Sequence, residues 1–283
     1  MKPIQVLFLL IVSALAPALA ADRPADETRL SFGIVPQQAA AKLARTWTPV
    51  MQYLEQETGL RISFKTAPTI PAFEERLAQG EYDFAYMNPY HFTVFNRAPG
   101  YHAVARARDK LIQGILVVSK DSPITRIEQL DGATLAFPAP AAFAASVLPR
   151  AELKRRGIDF TPKYVSSHDS VYRSVAKQLF PAGGGVQRTF ANVEPQVSES
   201  LRVLWTTEGY TPHAIAAHPR LSEETVRKVR DALVALEGNA RGQDLLGTLK
   251  VNGFVAAVDT DWDDVRALRL EQLDELVAAR PAR

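Results

Sequence analysis

Residues 135–150 read LAFPAPAAFAASVLPR, a short apolar run that meets two prolines and then an alanine-rich stretch of helical character. A strand feeding a helix through a tight turn leaves the first-turn N–H groups without intrahelical partners, and the helix dipole favours negative charge there. The chemistry on offer is the holding of an anion by backbone donors. Sites of this kind usually add Ser, Thr or Gly, but here the positions carry Ala142, Phe143, Ala144 and Ala145. Two readings stand: an anion cradle without hydroxyls, or a packed helix start with Phe143 in the core. Ser146 adds a hydroxyl, but one turn into the helix it would usually face elsewhere.

Other residues could serve the same chemistry. His168 precedes Asp169 and Ser170 at an expected helix start, where an imidazole can donate to an oxyanion and its charged form does so better. A lone histidine is equally a satisfied surface residue. Tyr86 and Asn88 close the run YDFAYMN; they either line a cleft, or are a core aromatic and a helix cap. Gly184, inside Gly183-Gly184-Gly185, either lets a ligand approach the backbone or forms a plain turn. Arg188 is an anion clamp or a surface charge. Gln37 and Gln38, at the first strand-to-helix turn, are polar ligand contacts or only turn residues.

Catalytic constellations are missing. There is no cysteine, no G-x-S-x-G and no outstanding carboxylate pair, so nucleophilic chemistry has no carrier and an enzyme is not expected. The five histidines show no metal-ligand spacing, and neither a metal nor another cofactor is expected. Lys and Arg number 33 against 31 Asp and Glu, without a basic stripe, so nucleic acid is not an expected partner.

These residues need elements to position them. Residues 30–35 form an apolar strand, 39–58 carry Leu43, Trp47, Val50, Met51 and Leu54 at helical spacing, and Gly59 stops the helix. A strand at 60–66, a helix at 70–79, a strand at 82–86 and a helix opened by Asn88-Pro89 and running to Arg97 follow. A strand at 112–119 leads to a short helix at 126–130 and then to the opening stretch, whose helix runs on to 156. Lys163, Tyr164 and Val165 form a strand, residues 167–170 cap a helix over 171–179, and 201–206 and 213–217 are strands. An amphipathic helix at 222–237 and a last helix at 262–279 end the chain. This alternation predicts an α/β protein of two lobes, each a mostly parallel sheet flanked by helices. Lobe 1 is discontinuous, 28–118 plus 208–283, and lobe 2 is the insert 119–207. The chain is expected to cross at 115–118 and 212–216, and ligands to bind between the lobes near helix N-termini.

Residues 1–20 have the pattern of a secretory signal peptide: Lys2, an apolar run at 4–15, and Ala18-Leu19-Ala20 before an expected cleavage near Ala20. An uncleaved anchor is the alternative. A periplasmic location is expected.

The stretches FGIVPQQAAAKLARTWTPVMQYLEQETGL, EYDFAYMNPYHF, LVVSKDSPI, LDGATLAF and SSHDSVYRSV, in that order, resemble the periplasmic binding proteins for phosphonate, phosphite and phosphate over about residues 30–255. The resemblance implies a type II periplasmic binding fold, a hinge closing on a small oxyanion, and an ABC importer permease as partner. The same closed lobes could instead be presented to a membrane sensor histidine kinase. A monomer is expected. In the family, a Ser-Thr-Ser-like triplet holds the phosphonate; by spacing to Pro149 it falls on Ala142-Phe143-Ala144. The family histidine matches His168. The acidic residue that pairs with an aminoalkyl group falls close to Arg188, which disfavours a cationic tail and favours a further anionic group.

Overall fold

The computed structural model describes residues 29–278; the expected signal segment, 1–20, lies outside them. Eleven strands and eleven α-helices are described. The strands are β1 (Leu30–Ile34), β2 (Ile62–Lys65), β3 (Phe84–Met87), β4 (His102–Ala107), β5 (Gly114–Ser119), β6 (Ala133–Phe137), β7 (Phe160–Tyr164), β8 (Ala182–Val186), β9 (Leu201–Thr206), β10 (Ala214–Ala217) and β11 (Phe254–Ala256). The helices are α1 (Ala40–Thr58), α2 (Ile70–Ala78), α3 (Pro89–Phe95), α4 (Leu148–Arg155), α5 (His168–Ala176), α6 (Gln187–Phe190), α7 (Pro195–Glu199), α8 (Glu223–Ala235), α9 (Ala240–Leu249), α10 (Asp263–Arg266) and α11 (Asp274–Ala278). No helix among the described residues is long and apolar enough to cross a membrane.

The strands form two sheets, ordered β11-β4-β10-β3-β1-β2 and β7-β6-β8-β5-β9. Both are mixed rather than mostly parallel. β1 pairs in parallel with β2 and β3, and β6 with β7 and β8, while β10 and β5 run antiparallel to their neighbours. β5 and β10 are reached directly after the chain changes lobe, without a crossover helix to reverse them, and β11 adds a further antiparallel pairing with β4 at the edge of the first sheet.

The crossings lie slightly earlier than the sequence suggests. The boundary expected at 118 falls inside β5, all of which pairs in the second sheet, and β10 pairs wholly in the first. The chain therefore passes between sheets at 108–113 and 207–213. These two segments are joined by an antiparallel bridge, in which Ile112 N–H donates to Tyr210 O at 2.8 Å and Tyr210 N–H to Ile112 O at 3.1 Å, and by Gln113 Nε2, which donates to Thr207 O at 3.3 Å.

Alternation along β5 builds the second lobe's core. Leu116 and Val118 pack with Leu135, Phe137 and Leu153 on one face, and Ile115 and Val117 with Ala136, Val171 and Val175 on the other. The first lobe's core is aromatic, with Phe32, Trp47, Phe73, Phe84 and Phe92 all buried. That cluster also takes in Ala142, Phe143, Ala144, Ala145 and Val186, so the apolar contact continues across the lobes.

Two local expectations fail for stated reasons. The last helix, expected over 262–279, is broken: α10 ends at Arg266, Arg269 takes a left-handed φ of 49°, and α11 starts at Asp274. Tertiary contacts decide this segment, since Trp262 Nε1 donates to Pro212 O at 2.8 Å and Leu273 N–H to Tyr90 Oη at 2.9 Å. The segment AGGGV is neither loop nor turn but β8, an inner strand of the second sheet. A Cβ at Gly183 would lie 2.4 Å from Val171, and one at Gly184 2.0 Å from Ala145 O. The glycines let α5 and the 143–147 turn press onto the strand from its two faces.

Candidate functional site

The opening stretch does not form a plain α-helix start. Phe143–Val147 is a π turn that precedes α4. Ala142 O accepts from Ser146 N–H at 2.7 Å and Val147 N–H at 3.2 Å, and Phe143 O accepts from Leu148 N–H. Pro149 has no N–H to return to Ala145 O, so the regular α ladder cannot run through it. The carbonyls of Ala144 and Ala145 turn onto the strands beneath: a Cβ would lie 1.8 Å from Ala144 O at Gly114. Among the described residues, no backbone carbonyl accepts from the N–H of Phe143, Ala144 or Ala145. All three residues are buried, and buried N–H groups without partners are rare unless a ligand or water serves them. Ser146 is buried too, with an unpartnered hydroxyl, but it does not line the cavity.

Three true helices start around the same point. Thr69 caps α2, Asn88 caps α3 through its Oδ1 to His91 N–H at 2.8 Å, and Ser167 caps α5. Ile70, Asn88, Ala142–Ala145 and His168 line one cavity with Gln37 and Val186. It measures about 10 Å³, the room of one water. Four N-terminal turns thus surround an inner cavity whose side chains are mostly apolar.

His168 sits wholly buried in this wall, with Nδ1 3.0 Å from Thr189 Oγ1 and its N–H donating to Gln37 O at 3.0 Å. Burial first, and the Arg188 charge second, push its pKa down to about 3. Of the two imidazole forms that can donate to an oxyanion, the fold favours the neutral, weaker one. His213, stacked on Tyr86 at 4.8 Å, is pushed well below the usual histidine range by burial and then by Arg188, and its Nε2 has no partner.

A second cavity of about 60 Å³ adjoins the first across Val35 and Gln37. Tyr86 and Trp47, with ring centres 4.7 Å apart, form its apolar wall. Arg188 reaches over the Tyr86 ring at 5.9 Å and donates to Gln37 Oε1 at 2.7 Å. Lys42 donates to the Asn192 carbonyl from the opposite lobe. Gln38 Nε2 lies 3.5 Å from Oδ1 of the buried Asp169, and Asn88 Nδ2 3.4 Å from Ala141 O. These contacts join the lobes.

Of the residues singled out from sequence, Asn88, Ala142, Phe143, Ala144 and His168 come together in the inner cavity, Tyr86 and Arg188 in the outer, and Gln37 in both. Two lie elsewhere. Ser170 lines neither cavity, because its N–H and hydroxyl are engaged by Ser167 Oγ at 3.1 and 2.9 Å. Gly184 lines neither cavity; a Cβ there would lie 2.0 Å from Ala145 O. His91 is wholly buried against Glu74, 2.8 Å away. Lys42, Asn192 and Trp47 were not anticipated as cleft residues. Lys42 is the third residue of α1, four positions past Gln38, which is the one signal that could have placed it at the cleft.

Comparison with known proteins comes to the same architecture. A family model described as "ABC transporter, phosphonate, periplasmic substrate-binding protein" matches residues 32–262. The phosphate-import protein PhnD of Mycolicibacterium smegmatis is 21% identical over 90% of this chain and 91% of its own. The phosphonates-binding periplasmic protein of Escherichia coli is 24% identical over 90% of this chain and 79% of its own. A binding-protein component of an ABC phosphonate transporter from Pseudomonas aeruginosa superposes with a TM-score of 0.79 at 18% identity, over 89% of this chain and 96% of that one. PhnD1 of Prochlorococcus marinus, solved with methylphosphonate, gives 0.78 at 16% identity, over 86% and 97%. The last two matches show the shared two-lobed fold.

Proposed function

The chain belongs to the family of periplasmic substrate-binding proteins of ABC phosphonate transporters, and from that premise we propose that it captures a small phosphorus oxyanion between its lobes and hands it to an importer. The observation that carries this reading is the inner cavity, where four helix N-termini meet and the N–H groups of Phe143, Ala144 and Ala145 have no carbonyl partner. The oxyanion sits on these backbone donors, with Asn88 Nδ2 and His168 beside it. The family's hydroxyl triplet is not needed, because oriented N–H groups in a dry site hold negative charge without side chains. Relatives named for phosphate import, for phosphonates and for a methylphosphonate complex support phosphorus oxyanions as the ligand class.

A thermal-shift screen against phosphate, phosphite, methylphosphonate, sulfate and arsenate tests this. A ligand at about 100 times its Kd stabilises the fold by about 2.7 kcal/mol, a plain rise in melting temperature. If none of the phosphorus oxyanions shifts the melting point while sulfate or arsenate does, the ligand class is wrong. If no anion does, the capture of an oxyanion fails as a whole.

A further inference from the structure

The outer cavity has a chemistry of its own. Two of its residues are permanent cations, Lys42 and Arg188, and no Asp or Glu lines it. Their donors go to neutral oxygens of the opposite lobe, Asn192 O for Lys42 and Gln37 Oε1 for Arg188. Among the described residues neither forms an ion pair. The nearby carboxylates lie outside its lining: Asp169 contacts Gln38, which lines the cavity, and Glu194, whose pKa the Lys42 charge helps to lower, is paired with Arg173. Both cations are half-buried beside the Tyr86 and Trp47 rings, where a charge is screened less than in open water. At about 60 Å³ the cavity has room for several waters, enough to take a carboxylate substituent. It meets the inner cavity at Val35 and Gln37, so a substituent on an oxyanion held inside can pass Gln37 and enter between the cations; a wider cavity meets the inner one at Ile112 and Val186 and also has Arg188 in its wall.

We infer that the outer cavity receives a second anionic group of the same ligand, so that the substrate class is a phosphonate bearing a carboxylate, not one bearing an amine. This rests on the oxyanion reading of the inner cavity. A carboxylate there takes a paired contact from the Arg188 guanidinium and one from the Lys42 ammonium, with the Gln38 amide beside them. An alkylammonium would face two like charges in a partly dry site, which costs affinity.

Calorimetric titration of the purified protein with methylphosphonate, phosphonoacetate and 2-aminoethylphosphonate decides it. Phosphonoacetate is expected to bind at least about tenfold more tightly than methylphosphonate, and 2-aminoethylphosphonate several-fold more weakly. Lys42→Met should remove most of the advantage of phosphonoacetate over methylphosphonate, read as the ratio of the two affinities in the same variant, and Lys42→Arg, which keeps the charge, should restore that ratio. The melting temperatures of both variants without added ligand report that they fold. Methylphosphonate binding with no preference for phosphonoacetate, or a preference for 2-aminoethylphosphonate, overturns the inference and leaves the oxyanion reading standing. A phosphonoacetate advantage that survives Lys42→Met and Arg188→Met also overturns it. If none of the three phosphonates binds, the oxyanion reading falls and this one with it.

Discussion

The two cavities of the cleft share a wall at Val35 and Gln37 yet favour negative charge by different means. The inner one does so with backbone: N-terminal turns of α2, α3 and α5 and the π turn at 143–147, around side chains that are largely apolar. The outer one does so with the Lys42 ammonium and the Arg188 guanidinium, set beside aromatic rings. A backbone site depends on where elements start and how closely they pack, so it is broken by volume. A side-chain site depends on two charges, so it is broken by neutralising them and leaves the fold intact.

Gly184→Ala should separate the two most sharply. Its Cβ would meet Ala145 O at 2.0 Å and the Phe137 ring at 2.7 Å, pushing the π turn off β8. Overpacking against backbone should cost about 3 kcal/mol, read from the denaturant midpoint, and the surviving folded protein should lose affinity for methylphosphonate. Unchanged affinity would show that the π turn is not part of the inner site.

Next in size is the response to acid. His168 and His213 are neutral in the fold, with the His168 pKa down at about 3, whereas in the unfolded chain each takes a proton below about pH 6.5. The unfolded state therefore binds more protons as pH falls through 6.5, and the stability present above that value is lost below it. Between pH 7 and pH 5 the loss should be about 2 kcal/mol for His168, with His213 acting in the same direction. His168→Gln should flatten the slope of unfolding free energy against pH in that window. An equal slope in the variant would mean that His168 is charged in the fold.

His168→Ala should weaken methylphosphonate binding by about tenfold, since one donor or acceptor of the inner wall is lost; unchanged affinity removes the residue from the site. Smallest of all, Ser170→Ala should leave affinity alone and change stability by less than about 0.5 kcal/mol, because Ser167 Oγ still caps the Ser170 N–H at 3.1 Å. A marked affinity loss there would return Ser170 to the ligand.

Legibility followed the same division. The order of elements was readable because α1 and α8 carry apolar residues at helical spacing, Gly59 ends α1, Ser222 caps α8, and β5 is an unbroken apolar run; the helix starts that build the inner cavity follow from that order. AGGGV was not readable as a strand, because glycine has neither β propensity nor a side chain to alternate. Only the packing of Val171, Tyr172 and the π turn onto it makes the strand. The neutrality of His168 was equally hidden, since it comes from burial by distant residues. Arg188 was legible as a charge, but its work on Gln37 and Tyr86 belongs to the other lobe. Lys42 looked like one of many surface lysines, because its partner is a backbone carbonyl that no residue type announces.

The bonds that join the lobes run almost entirely through neutral acceptors: the Gln37, Ala141 and Asn192 carbonyls and the Gln37 amide, with Asp169 the one exception. Bonds between neutral groups exchange for bonds to water with little net gain, whereas the two from the charged donors Lys42 and Arg188 count for more, as does the apolar contact shared by the lobes. In terms of populations, a ligand needs about 5.5 kcal/mol of preference for the closed form to carry a 1:99 mixture to 99:1, and the neutral acceptors of those two cations are the ones an anionic ligand can replace.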